Sequence, residues 1–597
     1  MLDEILQLHT LDRLKTRLAL LRTDEKPKRK PEIIDLIRRH LLSERCRDYW
    51  QELDELERQA VGEVVHNWNG SFDAARFRAK YGRLPKYLEP REPMYGLRLE
   101  KPERSFLPLF FYNRAIPDDL CRQLAAFVPK PVSDALRTLT EDSLPREFET
   151  EDGQRYPVSV LAMEAVAFQD LASVLNLVAE GALRVSDKTS LPGAASLRRI
   201  EDVLMGGDYY SPDQELNLER WDGGLIRPIR PFAWPLLLQA GGLAKRNGTK
   251  LELTQKGKKS LVEPPQETIK RLYERWRSKG MLDEYRRIDQ VKGQTGKGRR
   301  MTAPPPRRLA VQVALKECPT GAWIQVEEFF RYLQSVGHDF EVAQDLWKLY
   351  VVDNNYGNLG YEGFGDFNIL QGRYILVYLF EYLATLGLID IAYVPPYGVM
   401  DDFRDIWGTD DLAFFSRYDG LLYFRLNPLG AYCLGLSDQY RPTVAPTPPL
   451  LAMDTDLLIT ALRKVEPGER MMLDRYAEGL GPETWRLSAE AMLEAMADGH
   501  DPELFRHFLL EKADGHLPAE VDQLFEAAGE RLSALSDGGP ARLIRCASRA
   551  LAEMLAADPQ TGAHCLRAGG AMLAVPEGKE RTFRAGLRRL GYVFPKT

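Results

Sequence analysis

The stretch nearest to a phosphate-cradling loop is Gly293-Gln294-Thr295-Gly296-Lys297-Gly298-Arg299. A nucleotide loop needs GxxxxGK[ST], so that backbone N–H groups wrap the phosphates and a hydroxyl holds Mg²⁺. Here the glycine spacing differs, Gly298 follows Lys297, and no strand pattern precedes it. Gly357, Gly360, Gly363 and Gly365 are interleaved with aromatics but make no GxGxxG run between strand and helix, so they read as a turn-rich connector. Asp401, Asp402, Asp405, Asp410 and Asp411 form the densest carboxylate group. Converging carboxylates hold divalent ions for hydrolysis, and a solvated loop carries the same composition; no nearby lysine completes a nuclease-like set. The eight histidines make no HxxxH or HExxH, and Asp501-Pro502 breaks the helix between His500 and His507. No GxSxG elbow occurs. Cys46, Cys121, Cys318, Cys433, Cys546 and Cys565 include no CxxC, which argues against a zinc ribbon or a disulfide framework and fits a reducing compartment. The expectation is a protein with no catalytic residues, no metal and no cofactor.

The chemistry that remains is cationic. The net charge is −7, so no global field draws the chain to nucleic acid and binding must be local. One basic run is Lys26-Pro27-Lys28-Arg29-Lys30-Pro31; a second is Lys245-Arg246-Asn247-Gly248-Thr249-Lys250, with Lys256, Lys258 and Lys259 just after it. A third lies in residues 284–308, which hold eight Arg/Lys against two acidic residues. Clustered cations neutralise phosphates and release counterions, giving salt-sensitive affinity without base reading. Lys26, Lys28, Arg29, Lys30, Lys245, Arg246, Lys250, Lys256, Lys297, Arg299 and Arg300 are the expected DNA contacts. A charged hairpin is also simply a soluble one.

The elements that must carry these residues are set by periodicity and turn signals. With 44% hydrophobic and 28% charged residues the chain is globular, and 597 residues imply three to five domains. Leu11, Leu14, Leu18 and Leu21, then Ile33, Ile34, Ile37 and Leu41, mark two helices around the first basic turn. Residues 46–156 read as mainly helical. Residues 157–283 contain a helix over Leu171–Val178, strand-like Leu183-Arg184-Val185, Arg198-Arg199 on a further helix, and a helix from Phe232 into Gly241-Gly242. Asn247-Gly248 between two short strands then signals a hairpin, closed by Leu253-Thr254-Gln255-Lys256-Gly257. This is the order of a winged helix. Residues 284–306 read as a flexible basic linker. Residues 307–436 repeat the pattern: Trp323-Ile324, a helix bearing Val326, Phe329, Phe330 and Leu333, a long helix through Leu376–Leu386, and strands Leu388–Val394 and Leu421–Leu426 around an insertion. The second hairpin, aromatic and nearly uncharged at Tyr418–Phe424, reads as packing or a partner surface. Tyr374–Val394 is the most apolar stretch; Glu381, Gly387 and Asp390 make it a buried helix and strand rather than a membrane span. The start, MLDEILQLHT, lacks a signal-peptide pattern, and a cytoplasmic, membrane-free protein is expected. Pro442, Pro446, Pro448 and Pro449 mark a linker over 437–452, and 453–597 reads as helical. There the charge is polarised: 454–537 carries 19 acidic and 8 basic side chains, 542–596 carries 4 and 10.

Two resemblances accompany this pattern. Residues 1–45 are similar to the SAP motif, a helix-extended-helix DNA-binding unit; an amphipathic helical hairpin with a solvated basic turn fits the same residues. Trp485-Arg486-Leu487-Ser488, Ala495–Gly499, Phe508-Leu509, Leu517-Pro518, Leu543–Cys546 and Leu590-Gly591-Tyr592 occur in an order that resembles the helicase-associated domain in front of XPB-type helicases, which bacteria also carry on stand-alone proteins. Val185–Thr189 and Leu191-Pro192 resemble those proteins too. The resemblance implies a DNA-associated accessory protein without a motor, beside a separate helicase or nuclease, in DNA repair or defence against foreign DNA. The fold expected is mainly α with short β-hairpins: an array of winged-helix modules and an α-rich XPB-N-terminal-like domain. The rival expectation is a scaffold whose winged helices bind proteins and not DNA.

Overall fold

The computed structural model describes residues 1–89, 105–210, 228–279, 281–294, 301–353, 356–361, 367–442, 449–513, 515–534 and 537–593. The fold is helix-rich with small antiparallel sheets. It divides into two compact units: Met1–Pro448 with Val465–Met472, and Pro449–Lys464 with Leu473–Thr597. The division falls in the proline-rich stretch, of which Pro446 and Pro448 lie outside the described residues.

The first 45 residues hold three helices rather than two: α1 (Leu2–Leu8), α2 (Leu11–Leu18) and α3 (Lys30–Leu41). Leu2 and Leu6 of α1 are buried and Ile5 packs half-buried beside them, a seven-residue helix too short for periodicity to register. These helices are not a separate module. With α4 (Arg45–Gln51), α5 (Glu55–His66), α6 (Ala74–Tyr81) and α7 (Asp118–Ala125) they share one core running from Leu2 to Val128. Two histidines are buried in it. His40 Nδ1 lies 2.6 Å from the Tyr49 hydroxyl and Nε2 3.2 Å from Arg45; His9 Nδ1 lies 3.3 Å from Arg17. Burial first, then the neighbouring guanidinium, lowers both pKa values below 6.5. A depressed folded pKa means stability that is complete above the unfolded value and is lost as pH falls through the folded one. Thermal melting should therefore drop between pH 7 and pH 5, and H9Q/H40Q should flatten that decline; an unchanged slope would exclude these two groups as its source.

A hairpin of β1 (Glu147–Glu149) and β2 (Arg155–Pro157) and an edge strand β3 (Ser159–Leu161) precede the second core. That core is continuous from Met163 to Leu434 and spans both expected modules. Its first half is α8 (Met163–Ala179), α9 (Ala194–Glu201), α10 (Arg230–Gly241), β4 (Ala244–Asn247), β5 (Lys250–Leu253), α11 (Gln255–Lys259) and α12 (Pro265–Ser278). Its second half is α13 (Pro304–Lys316), β6 (Trp323–Gln325), α14 (Val326–Val336), the hairpin β7 (Tyr350–Asp353) and β8 (Tyr356–Asn358), α15 (Arg373–Leu376) between π-helical turns at Asn368–Gly372 and Val377–Leu383, β9 (Ile389–Tyr393), β10 (Leu421–Leu426) and α16 (Pro428–Leu434). The sheet order is β3-β9-β10-β6, all antiparallel.

The two halves repeat one joint in detail. Each long helix ends at a left-handed glycine, Gly242 or Gly387, both at φ 74°. Leu243 N–H donates to Leu238 O and Leu388 N–H to Leu383 O, each at 2.9 Å. After the second strand a polar side chain reaches back: Thr254 Oγ1 donates to Gly242 O and Asn427 Nδ2 to Gly387 O, each at 2.8 Å. The same side chains cap the next helix by accepting from Gly257 N (3.1 Å) and Gly430 N (2.9 Å). A Cβ on Gly257 would sit 2.1 Å from Leu243 O, and one on Gly430 2.0 Å from Leu388 O. Backbone oxygens within a packed joint cannot retreat, so G257A or G430A should each cost about 3 kcal/mol in denaturant unfolding. A loss under about 0.5 kcal/mol would show the joint to be soft.

The expected flexible basic linker over 284–306 is not what the described part of that segment is. Within it Arg287 is buried while Arg286 and Lys292 are exposed; Arg307 and Arg308, just beyond its end, are buried, and all three buried arginines are paired with carboxylates. Arg287 Nε reaches Glu381 at 2.9 Å, and Arg307 grips Asp283 through two bonds of 2.9 and 2.7 Å. Asp289 accepts from Arg417, and Tyr285, Ile288 and Val291 fill the core between. Charge composition alone cannot distinguish a solvated run from one whose counter-charges arrive from distant segments. Residues 295–300, including Gly296, Lys297, Gly298, Arg299 and Arg300, lie outside the described residues.

The second unit is less helical than the expectation. β11 (Leu451–Met453), β12 (Leu458–Ala461), β13 (Ala477–Gly481) and β14 (Thr484–Leu487) form a sheet in the order β11-β12-β14-β13, with α17 (Pro467–Tyr476) beginning in the residues assigned to the first unit. Then come α18 (Ala489–Ala497), α19 (Pro502–Lys512), α20 (Ala519–Ala534), β15 (Ala541–Arg545), α21 (Arg549–Ala557), β16 (Leu566–Arg567), β17 (Met572–Pro576) and α22 (Glu580–Arg589). The last sheet runs β15-β17-β16. These strands are two to five residues long, and an Ala- and Leu-rich background hides them. The segments of the helicase-associated resemblance fall on elements and their ends: Trp485 is buried on β14 with Nε1 2.6 Å from Asp474, and Ser488 caps α18. Among the described residues no helix is long and apolar enough to cross a membrane.

Candidate nucleic-acid interface

The second basic run lies on the β4–β5 hairpin. Asn247 pairs with Lys250, so the turn is Gly248-Thr249, one residue later than the Asn-Gly signal indicates; Gly248 supplies the positive φ of 58°. Strand alternation sets the faces. Ala244 and Leu251 are buried, while Lys245, Asn247 and Lys250 are exposed. Arg246, opposite Leu251, is exposed near the tip and donates to Gly248 O at 3.3 Å. Lys256, Lys258 and Lys259 stand exposed on α11, whose first turn Thr254 caps.

Leu183–Val185 joins the hairpin as a third short edge: Val185 N–H donates to Thr249 O (2.8 Å) and Leu251 N–H to Leu183 O (3.1 Å). Leu183 and Val185 point inward, and Arg184 points outward directly opposite Lys250. Like charges directly opposite on a sheet repel. Among the described residues no carboxylate is paired with either. The face they share with Lys245 also carries Glu252, which lies directly opposite Lys245 and accepts from Asn247 Nδ2 at 2.9 Å; three cations against one carboxylate leave it net positive, and an anion beside Arg184 and Lys250 would stabilise it. Arg184 is not among the contacts expected from the sequence, although the alternation Leu183-Arg184-Val185 marks it as outward. Ser196 of α9 clamps that edge, accepting Arg184 N–H (2.7 Å) and donating to Arg184 O (2.8 Å). α9 adds exposed Arg198 and Arg199, the latter bonded to Ala182 O at 2.7 Å.

α10, the helix before this hairpin, offers no comparable surface. Only Phe232 and Gln239 are partly exposed on it. Its one cation, Arg230, is buried against Asp170. The corresponding helical stretch Arg373–Leu383 is buried throughout. The second hairpin is buried too: Tyr418, Leu421 and Phe424 are core, and β9 is buried along its length.

The first basic run sits on the other core. Lys26, Lys28 and Arg29 are exposed between α2 and α3. Lys30 is half-buried and donates to Gln7 O at 2.7 Å, holding α1 in place. Glu32 accepts the backbone N–H groups of Lys28 and Arg29, each at 3.2 Å, which fixes the turn. Among the described residues no hydrogen bond or ion pair joins this run to the hairpin.

The aspartate-rich insertion is partly neutralised by cations. Asp402 pairs with buried Arg373 at 2.5 Å, and Asp401 with Arg404 at 3.0 Å. Among the described residues no three His, Cys, Asp or Glu side chains are gathered as metal ligands. No protein-family model matches the chain, and no curated protein matches it.

Proposed function

We propose that this chain is a non-catalytic, cytoplasmic DNA-binding accessory protein. It holds double-stranded DNA by its phosphates and positions a separate helicase or nuclease in DNA repair or defence against foreign DNA. The observation that carries the reading is the net cationic face of Arg184, Lys245 and Lys250, on which Glu252, opposite Lys245, is the one carboxylate of the hairpin, with Lys256, Lys258 and Lys259 just after it. The order helix, short edge, helix, helix, hairpin over 163–253, with its joint repeated at Gly387–Gly430, supports a reading of both halves as winged-helix modules. The resemblance of 453–597 to the helicase-associated domain supports the helicase partner.

Winged helices that read sequence lay the helix before the wing in the major groove. Burial of α10 leaves that role empty, so contact here is with the backbone alone. The same burial favours a second reading, a scaffold whose modules bind proteins only. Fluorescence anisotropy with labelled duplex and single-stranded DNA across a salt series separates them. K26S/K28S/R29S and R184S/K245S/K250S, tested separately, show which core carries the contact. No binding at low salt would leave the scaffold.

A further inference from the structure

The insertion over 401–412 holds its one tryptophan out of the protein. Phe403 and Ile406 are core, and Thr409 is fully buried, donating through Oγ1 to Ile406 O (2.7 Å) and Phe403 O (3.0 Å). Gly408, at φ 82°, presses against Val352, where a Cβ would come within 2.6 Å of Cγ2. Arg373 anchors the loop through Asp402. A loop built this tightly does not expose a residue by fraying, yet Trp407 is 72% exposed. Its carbonyl packs on the β7–β8 hairpin at Gly357. At the base of that hairpin stand Trp347 and Tyr361, 54% and 51% exposed, with ring centroids 4.9 Å apart. The Trp347 ring lies over Gly360, where a Cβ would be 2.4 Å away, and Asn358 Nδ2 donates to the Trp347 carbonyl at 2.7 Å.

Exposed large aromatics gathered on rigid backbone are the usual anchors of partner contacts. The charge around Trp407 chooses between partners. Asp405, Asp410 and Asp411 are exposed on the same loop and form no ion pair among the described residues. Arg404 is committed to Asp401 and to the carbonyls of Leu412 (3.0 Å) and Asp410 (3.4 Å). Two exposed cations stand on the hairpin side, Lys348 beside Trp347 and Lys292, whose Nζ donates to Val352 O at 3.1 Å. Three unpaired carboxylates repel a phosphate backbone, which disfavours base stacking on Trp407. They attract guanidinium and ammonium groups, which also bind the faces of tryptophan rings.

We infer that Trp407, with Trp347 and Tyr361 and the carboxylates of Asp405, Asp410 and Asp411, is a docking surface for an arginine- or lysine-rich polypeptide segment of a partner protein. This goes beyond the DNA reading and does not rest on it, because the residues are different and the ligand charge is opposite. The test is anisotropy of a labelled oligo-arginine peptide with the full-length protein. W407A leaves the charge unchanged and should weaken binding about three- to fivefold, with W407F restoring most of it. D405N/D410N/D411N should weaken binding more than E490Q/E494Q/D498N, which removes equal charge from the second unit. Equal affinity for wild type and W407A, or equal losses in the two charge variants, overturns the surface. So does oligothymidine binding that W407A abolishes, which would make Trp407 a base-stacking platform.

Discussion

Replacing Arg308 with methionine should destabilise the first unit by about 3–5 kcal/mol. Arg308 is buried, and its Nε lies 2.7 Å from the Glu284 carboxylate. Its remaining N–H groups donate to the carbonyls of Trp276, Lys279 (2.5 Å) and Leu282 (3.2 Å). These are carbonyls at and just beyond the end of α12, where a helix has no partners of its own. The guanidinium also stacks 4.2 Å over Trp276. Methionine keeps much of the volume but leaves Glu284 wholly buried, with the Tyr374 hydroxyl at 3.1 Å as its remaining side-chain donor. Burial already pushes the Glu284 carboxyl above its ordinary range, and losing Arg308 would push it further. The variant should therefore lose less stability at pH 5 than at pH 8, because the protonated carboxyl is the form that tolerates the site. E284Q/R308M should recover part of the loss by removing the charge; the unpaired carbonyls would account for the remainder. The exposed pair Arg38–Asp35 is the contrast, where R38M should cost under about 0.5 kcal/mol. Urea unfolding measures all four proteins. A loss below about 1 kcal/mol in R308M would mean that water replaces the arginine.

The second large effect is on DNA. Suppose Arg184, Lys245, Lys250 and Lys256 each neutralise one phosphate. The binding constant then falls with a log–log slope of about −0.9 per phosphate. Between 50 and 200 mM salt, duplex affinity should drop by roughly 100-fold. R184S/K245S/K250S/K256S should bind weakly at all salt concentrations and show a much shallower slope. Changing the base sequence of the duplex should alter affinity by less than about twofold, since a phosphate contact carries no base information. A tenfold sequence preference would require a base-reading surface elsewhere, and a salt-independent constant would end the electrostatic reading.

The local features of this fold are legible in the sequence. Leucine and isoleucine spacing marks α2 and α3, and the hairpin signal at Asn247-Gly248 is placed to within one residue. The Leu-Thr-x-Lys-Gly ending locates the Thr254 cap. Short strands in alanine-rich surroundings, such as β13 and β16, are not legible, because two to five residues of pairing depend on partners brought from elsewhere.

The basic segments divide along the same line. As a sequence, 284–308 and 245–259 are equally cationic candidates. The structure buries Arg287, Arg307 and Arg308 against Glu381, Asp283 and Glu284, and leaves Lys245, Lys250 and Lys256 in solvent. What the sequence determined alone was the inventory: helix-rich modules, hairpins with their caps, and an absence of recognisable catalytic motifs. Tertiary structure decided which charges are free to act, because desolvation and ion pairing depend on residues far apart in the chain. It brought Arg184 opposite Lys250 across 66 positions of sequence, the difference between 250 and 184, and it sealed α10 inside the core. Neither fact is written in local periodicity, since a strand's neighbour and a helix's covering layer are chosen by packing over the whole chain.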